Sequence, residues 1–176
     1  SDTETPLDTS ATLTTPALSA HSDHGLHIAN TTHTGAVYWN STFTPGVWSG
    51  WQRVGPEDDC VSSPFCIDPG FYANRFTQPV LVMFGDRLYL FARSADDRLY
   101  GIKKTGSGAW DADWTQLTSD EDVTGRISLV ATPDPLNSSL PELHAVYASG
   151  TQVVYRRFDH AFNPVGQAKA WCNASG

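Results

Sequence analysis

The sequence predicts an all-β protein assembled from repeated four-stranded antiparallel units. Three observations carry this. In residues 88–100, Leu88, Leu90 and Ala92 alternate with Tyr89, Phe91 and Arg93, the period of two that a pleated strand demands. The same unit appears three times: Leu26 to Tyr38, Leu88 to Tyr100 and Leu143 to Tyr155 each span twelve positions. A ring residue follows the Leu in each copy (His27, Tyr89, His144), and a Val or Leu precedes the Tyr (Val37, Leu99, Val154). Finally, no segment shows a sustained helical period behind an N-cap.

In chain order, residues 1–15 are rich in Ser and Thr without an apolar pattern, and read as a flexible arm. The first unit, at about 16–55, begins at Pro16-Ala17-Leu18-Ser19-Ala20. It continues through Leu26-His27-Ile28-Ala29 and Ala36-Val37-Tyr38-Trp39 to the Trp48–Gly55 segment. Residues 60–74 are an insertion. The second unit, at about 79–118, runs from Pro79-Val80-Leu81-Val82-Met83-Phe84 through a turn at Gly85-Asp86. A second turn follows at Asp96-Asp97, whose short side chains bond their own backbone, and the unit ends beyond Trp110 and Trp114. An offset of 62 superposes the two units, as in Leu26/Leu88, Tyr38/Tyr100 and Trp48/Trp110, and the second Trp of the pair slips by one, which a bulge absorbs. The third unit, at about 127–172, starts near Ile127. A Pro-rich excursion at 133–141 interrupts it, and its last strand is degenerate, keeping only Trp171.

Units of this size and strand number are what a β-propeller blade needs. Each sheet has two apolar faces and cannot bury both alone, so stacking around an axis solves its problem. Three blades do not close a ring, since propellers have about four to eight. An open fan would expose apolar faces and unpaired edges. The blade count therefore predicts a homodimer closing one six-bladed ring.

The whole-chain numbers exclude other classes. A length of 176 residues suggests one domain, and 40% hydrophobic against 17% charged residues permits a packed core. A net charge of -8 gives no basic stripe to displace counterions, which argues against nucleic acid and anionic membrane surfaces. The longest apolar run, 79–84, is too short to cross a bilayer, so no membrane insertion is expected. Sequons at Asn30, Asn40, Asn137 and Asn173 point to a secreted, extracellular glycoprotein. Cys60 and Cys66 bracket a short loop and are spaced to close a small disulfide ring, leaving Cys172 for a bridge between chains. A buried free thiol and a long-range pairing with Cys60 or Cys66 stay open beside that assignment.

The residues able to carry chemistry point to carbohydrate. A sugar presents an apolar ring face edged by hydroxyls, and its site needs a flat aromatic platform with a few fixed donors and acceptors. Aromatic residues make up 11% of the chain and include six Trp. The platform candidates are Trp39, Trp48, Trp51, Trp110 and Trp114. Arg93 and Arg98 are forked donors, and Tyr89 and Tyr100 are ring positions of the repeat. Packing within or between sheets is the competing role for every one of these rings. His21, His24 and His27 are spaced by three, but Gly25 and the strand at Leu26 oppose a helix, so no metal is expected. No cofactor is expected either. Carboxylates cluster at Glu57-Asp58-Asp59, Asp96-Asp97, Asp111/Asp113 and Asp120-Glu121-Asp122. Such clusters on polar turns are usually solvated surface, rather than the flanking pair that glycoside hydrolysis requires. No Gly-x-Ser-x-Gly occurs.

The segment Trp48-Ser49-Gly50-Trp51-Gln52-Arg53-Val54-Gly55 resembles the closing strand of bacterial and fungal propeller lectins of the fucose-binding and tectonin-like groups. Phe91-Ala92-Arg93-Ser94, with Asp96-Asp97 and Leu99-Tyr100, is similar to the strand–turn–strand of those blades. The resemblance covers residues 16–54 and 79–117 and touches the third unit only at its hairpin. Gly50 has no counterpart in Trp110-Asp111-Ala112-Asp113-Trp114, Asn30 and Ala148 replace Arg93, and the third Trp pair is absent. The resemblance implies a non-enzymatic carbohydrate-binding protein in which not every blade holds a ligand, with glycans and a second copy of itself as partners. A structural extracellular glycoprotein whose β-units serve self-assembly, and a secreted glycoside hydrolase on a propeller scaffold, are the alternatives.

Overall fold

The computed structural model describes residues 16–20, 25–31, 36–44, 46–55, 77–105 and 108–172. The expected arm at 1–15, the 60–74 insertion with Cys60 and Cys66, His21, His24 and Asn173 lie outside them. Among the described residues the protein is all-β, with no helix and three antiparallel four-stranded sheets in sequence order. The first sheet runs β1 (Ala17–Ala20), β2 (Leu26–Thr31) and β3 (Val37–Thr44). β4 (Val47–Trp48) and β5 (Gln52–Arg53) share its fourth place, both pairing with β3. The second runs β6 (Thr77–Phe84), β7 (Arg87–Arg93), β8 (Leu99–Thr105) and β9 (Thr115–Gln116). The third runs β10 (Ile127–Pro133), β11 (Pro141–Ser149), β12 (Gln152–Phe158) and β13 (Lys169–Cys172).

The first two sheets share one register. Leu26 pairs with Thr42 and Asn30 with Tyr38; Leu88 pairs with Lys104 and Ala92 with Tyr100. Every pair of these two central hairpins is carried over by the offset of 62, while the first strands differ by one more, Leu18 corresponding to Leu81. The same pairing sets Thr31, rather than Asn30, in the place of Arg93. The one-residue slip of the Trp pair falls after the first Trp. Thr42 pairs with Trp48 and Lys104 bridges Trp110 at the common offset, whereas Gln52 and Thr115 differ by one more. The extra residue sits in the connection 111–114, where the first sheet has only 49–51.

The third hairpin keeps the Leu-to-Tyr spacing but not the register. Its turn is Gly150-Thr151, between the paired Ser149 and Gln152, with Gly150 in the left-handed region at φ 57°. The first two hairpins have odd-length connections, 32–36 and 94–98. An even loop in place of an odd one shifts the pairing by one residue and turns each side chain to the other face. Tyr155 therefore pairs with Val146, and Tyr155 and Val154 exchange faces relative to Tyr100 and Leu99.

We call the face bearing the motif Leu the leading face and the face bearing the following ring residue the trailing face. The second sheet is buried on both. Its leading face (Leu88, Leu90, Ala92, Tyr100, Ile102) packs against Ala17, Ala29, Val37 and Trp39 on the trailing face of the first sheet. Its trailing face (Tyr89, Phe91, Leu99) packs against Leu143, Ala145, Tyr147, Val154 and Phe158 on the leading face of the third. β6 follows the same division, with Leu81 and Met83 in the first core and Val80 and Val82 against the second. Each fully buried Leu or Phe contributes about 1.5–3 kcal/mol, so the two cores hold the three sheets as one head-to-tail stack. β6 lies between β1 and β10, so the first strands of successive sheets are neighbours across each seam.

A buried aromatic wedge closes the second seam. Phe162, in the β12–β13 connection, lies edge-on to Tyr89 at 6.0 Å and Phe91 at 5.8 Å. Gly101 lies beneath it: a Cβ there would come within 3.0 Å of the Phe162 ring and 3.1 Å of Leu117. Phe162 itself has φ 71°, costly for a bulky residue. Asp159 holds it there by accepting bonds from the backbone N–H of Ala161 and Asn163, each at 2.8 Å.

Candidate functional site

The nominated residues divide into three groups. The first gathers at the margin of the first core. Trp39 is buried on β3; its Nε1 donates to His27 Nδ1 at 3.3 Å, and its ring stacks on His27 at 5.8 Å and 15°. Trp110 crosses from the second sheet and meets Trp39 edge-on at 5.9 Å and 82°. The Lys104 ammonium stands 5.5 Å over the Trp39 ring, and burial lowers its pKa below the usual lysine value. Trp110 and Trp114 are half-buried and pack on the same core. Trp114 lies over Gly55, where a Cβ would run into the indole and where φ is 83°, so this position takes glycine for space and conformation alike. The result is an aromatic angle with a cation over one face and two indoles at its edge.

The second group is Trp48 and Trp51, which repeat Trp110 and Trp114 on the first sheet. Trp48 is exposed and Trp51 half-buried. Polar groups are fixed beside them. Asn40 Oδ1 accepts from the Ser41 N–H at 2.8 Å and from the Ser49 hydroxyl at 3.1 Å. The Ser41 and Ser49 hydroxyls are 3.2 Å apart.

The third group is Arg93, Arg98, Tyr89 and Tyr100, of which Tyr100 lies in the first core on which Trp110 and Trp114 pack. Arg93 Nη1 donates to the Val123 carbonyl at 3.4 Å and lies 3.8 Å from Asp97. Arg98 Nη1 pairs with Asp122 at 2.8 Å. Both guanidiniums thus clasp the connector between β9 and β10. Tyr89 is fully buried against Phe162; burial raises its pKa, and Arg87 only partly offsets this. Tyr100 is buried on the leading face, its pKa raised first by burial and then by Asp96. Asp96 and Asp97 form the expected turn, with Asp97 at φ 60° and the Arg98 N–H donating to Asp96 Oδ1 at 3.2 Å.

The repeat by letters did not show the His27–Trp39 stack, the Lys104 cap, or the Gly101–Phe162 fit. Each joins residues on different strands or sheets. The signal that was available is strand parity: Trp39 and Lys104 fall on the two faces that meet. Parity also identifies Tyr155 as the counterpart of Trp39, since His144 stacks on it at 6.0 Å and 17°.

The sequons differ in surroundings. Asn30 and Asn40 are buried, and their Oδ1 atoms accept backbone N–H bonds from Thr31 and Ser41. Asn137 is exposed in the β10–β11 connection, and the Ser139 hydroxyl donates to its Oδ1 at 2.7 Å. Protein secreted from a eukaryotic host is expected to carry glycan at Asn137 and none at Asn30 or Asn40, read by peptide mass spectrometry before and after deglycosylation. Cys172 is exposed at the end of β13. Among the described residues, no group of three His, Cys, Asp or Glu is placed to hold a metal ion. No protein-family model matches the chain, and no curated protein matches it.

Proposed function

We propose that the protein is a secreted, non-enzymatic glycan-binding protein, a lectin whose three sheets are blades of a β-propeller completed to six by a second copy. The observation that carries this is the aromatic angle of the first seam. Trp110 and Trp114, half-buried beside the Trp39–His27 stack and Lys104, combine apolar ring surface with a cation, the pairing that a sugar's apolar face and edge hydroxyls need. The resemblance of Trp48–Gly55 to propeller-lectin closing strands supports the same class. Phe162 fills the second seam, and the third sheet has no Trp pair. Ligand capacity is therefore assigned to the first seam and to the one that Trp48 and Trp51 would complete on assembly. Individually weak sites gain by multiplicity on a glycan surface.

A glycan array read with assembled protein tests the proposal, followed by calorimetry on Trp110→Ala and Arg98→Ala. Binding of at least one sugar class is expected. Trp110→Ala should weaken it about tenfold or more, about 1.4 kcal/mol, while Arg98→Ala leaves affinity unchanged because its guanidinium holds the connector. No bound sugar from assembled protein overturns the reading, and turnover of chromogenic glycosides overturns its non-enzymatic part. Self-assembly alone is the second reading, favoured by the burial of Trp39, Tyr89 and Tyr100. A blank array with intact assembly supports it.

A further inference from the structure

The two ends of the stack leave apolar side chains in water. On the leading face of the first sheet, Leu18 is 65% exposed, and Leu26 and Trp48 are exposed beside it. On the trailing face of the third, Val130 is 54% and Trp171 53% exposed, with Val146 between their strands. Each end has an internal counterpart whose cover is visible. Strand register aligns Leu18, Leu26, Ile28, Tyr38 and Trp48 with Leu81, Leu88, Leu90, Tyr100 and Trp110. Those second-sheet residues are the ones packed on the trailing face of the first sheet.

The centre of the trailing face of the third sheet repeats that of the first in turn, while Arg157, paired with Glu142, stands in the place of Ser41 at its margin. Val146 stands in the place of Ala29, His144 in that of His27, and Tyr155 in that of Trp39. The imidazole–ring stack is reproduced, at 6.0 Å and 17° against 5.8 Å and 15°. A leading face with the residue classes of one already covered, and a trailing face with those of the surface that covers it, are complementary. They lie at opposite ends of one chain, where both stay exposed.

We infer that these two faces meet between two copies of the chain, leading face against trailing face, twice over. The register is that of the first internal seam, so Trp48 of one copy lies edge-on to Tyr155 of the other as Trp110 does to Trp39. This rests on the two-copy ring proposed above and specifies which surfaces make it. The contact is heterologous and closes when the rotation allows two copies to complete a ring. Since first strands are neighbours across both internal seams, β10 of one copy runs beside β1 of the other and sets Val130 near Leu18.

The test uses Leu18→Asp and Val130→Lys, read by sedimentation velocity, with far-UV circular dichroism to check sheet content. The wild-type protein is expected to sediment as two chains and each variant alone as one, because each of its two seams would bury an unpaired charge. An equimolar mixture of the two variants should return to two chains. One of its seams joins unaltered faces, and the other sets Asp against Lys. A wild-type protein that sediments as one chain overturns the two-copy reading and this inference together. A wild-type dimer overturns this inference alone if either single variant leaves it intact, or if the mixture stays monomeric. An isologous contact uses one face twice and is sensitive to only one of the substitutions. Where a charged variant loses its sheet signal, Leu18→Gln and Val130→Gln are read the same way: each should weaken the dimer, and a dimer indifferent to either overturns the inference.

Discussion

Phe162→Ala is expected to lower the stability of the chain by about 3–5 kcal/mol, the range for truncating a buried aromatic ring. The large value follows from what the ring replaces. Gly101 has no side chain, so Phe162 supplies the atoms that a larger residue on β8 would otherwise provide between the second and third sheets. Its removal takes the edge-on ring from Tyr89 and leaves Phe91 with Phe158 alone, and the Lys103 ammonium, 5.4 Å from the ring centroid, loses its contact. The φ 71° backbone offsets none of this, because Ala keeps the Cβ that makes the left-handed region costly. Urea unfolding followed by tryptophan fluorescence measures the change. A loss below about 1 kcal/mol would mean that the two sheets close over the gap and that the wedge is incidental. Phe162→Leu, which keeps most of the volume, should fall between the two.

Arg156→Leu should cost about 3 kcal/mol, the low end for breaking a buried ion pair by removing one partner. Arg156 Nε lies 2.6 Å from Glu121 and Nη2 lies 3.3 Å from Asp120, with the Arg156 and Glu121 side chains largely buried. The Tyr147 hydroxyl donates to the same Glu121 carboxylate. Without the guanidinium, a carboxylate is left in the second seam with only a phenol to face it. Pairing Arg156→Leu with Glu121→Leu should recover part of the loss, since no charge then stays buried unpaired. Non-recovery in a double-mutant cycle would show that the two side chains act independently.

Tyr147 adds a pH signature to this cluster. Burial first, then Glu121, holds its pKa above the ordinary 10.0. The stability it contributes is therefore complete below the unfolded value, about 10, and is lost as pH rises through the folded one. Wild-type stability should fall above about pH 10, and Tyr147→Phe should flatten that fall, read as melting temperature against pH.

The repeat of Leu26, Leu88 and Leu143 at equal distance from a Tyr was enough to find three hairpins, and the alternation in 88–93 was enough to make each sheet apolar on both sides. Those are properties of period and composition, which a strand expresses locally. The same spacing misled on one point. Tyr155 matches Tyr100 in position but not in facing, because the turn at Gly150-Thr151 has an even length and the turn at 94–98 an odd one. Arg93 and Arg98 show a second limit. By type they are sugar donors, yet they hold a connector whose path across the end of the second sheet has no signature in their own neighbourhood.

By itself, then, the amino-acid order determined the three hairpins, the grouping of strands into antiparallel sheets, the two-sided character of each sheet and the aromatic endowment. It did so because side-chain alternation and turn chemistry act over a few residues. Only the tertiary structure decided which face meets which, that Trp39 and Trp110 form an angle while Phe162 closes the next seam, and which two faces are left without a cover. Those outcomes depend on contacts between residues tens of positions apart, and a one-residue shift in pairing is enough to reverse them.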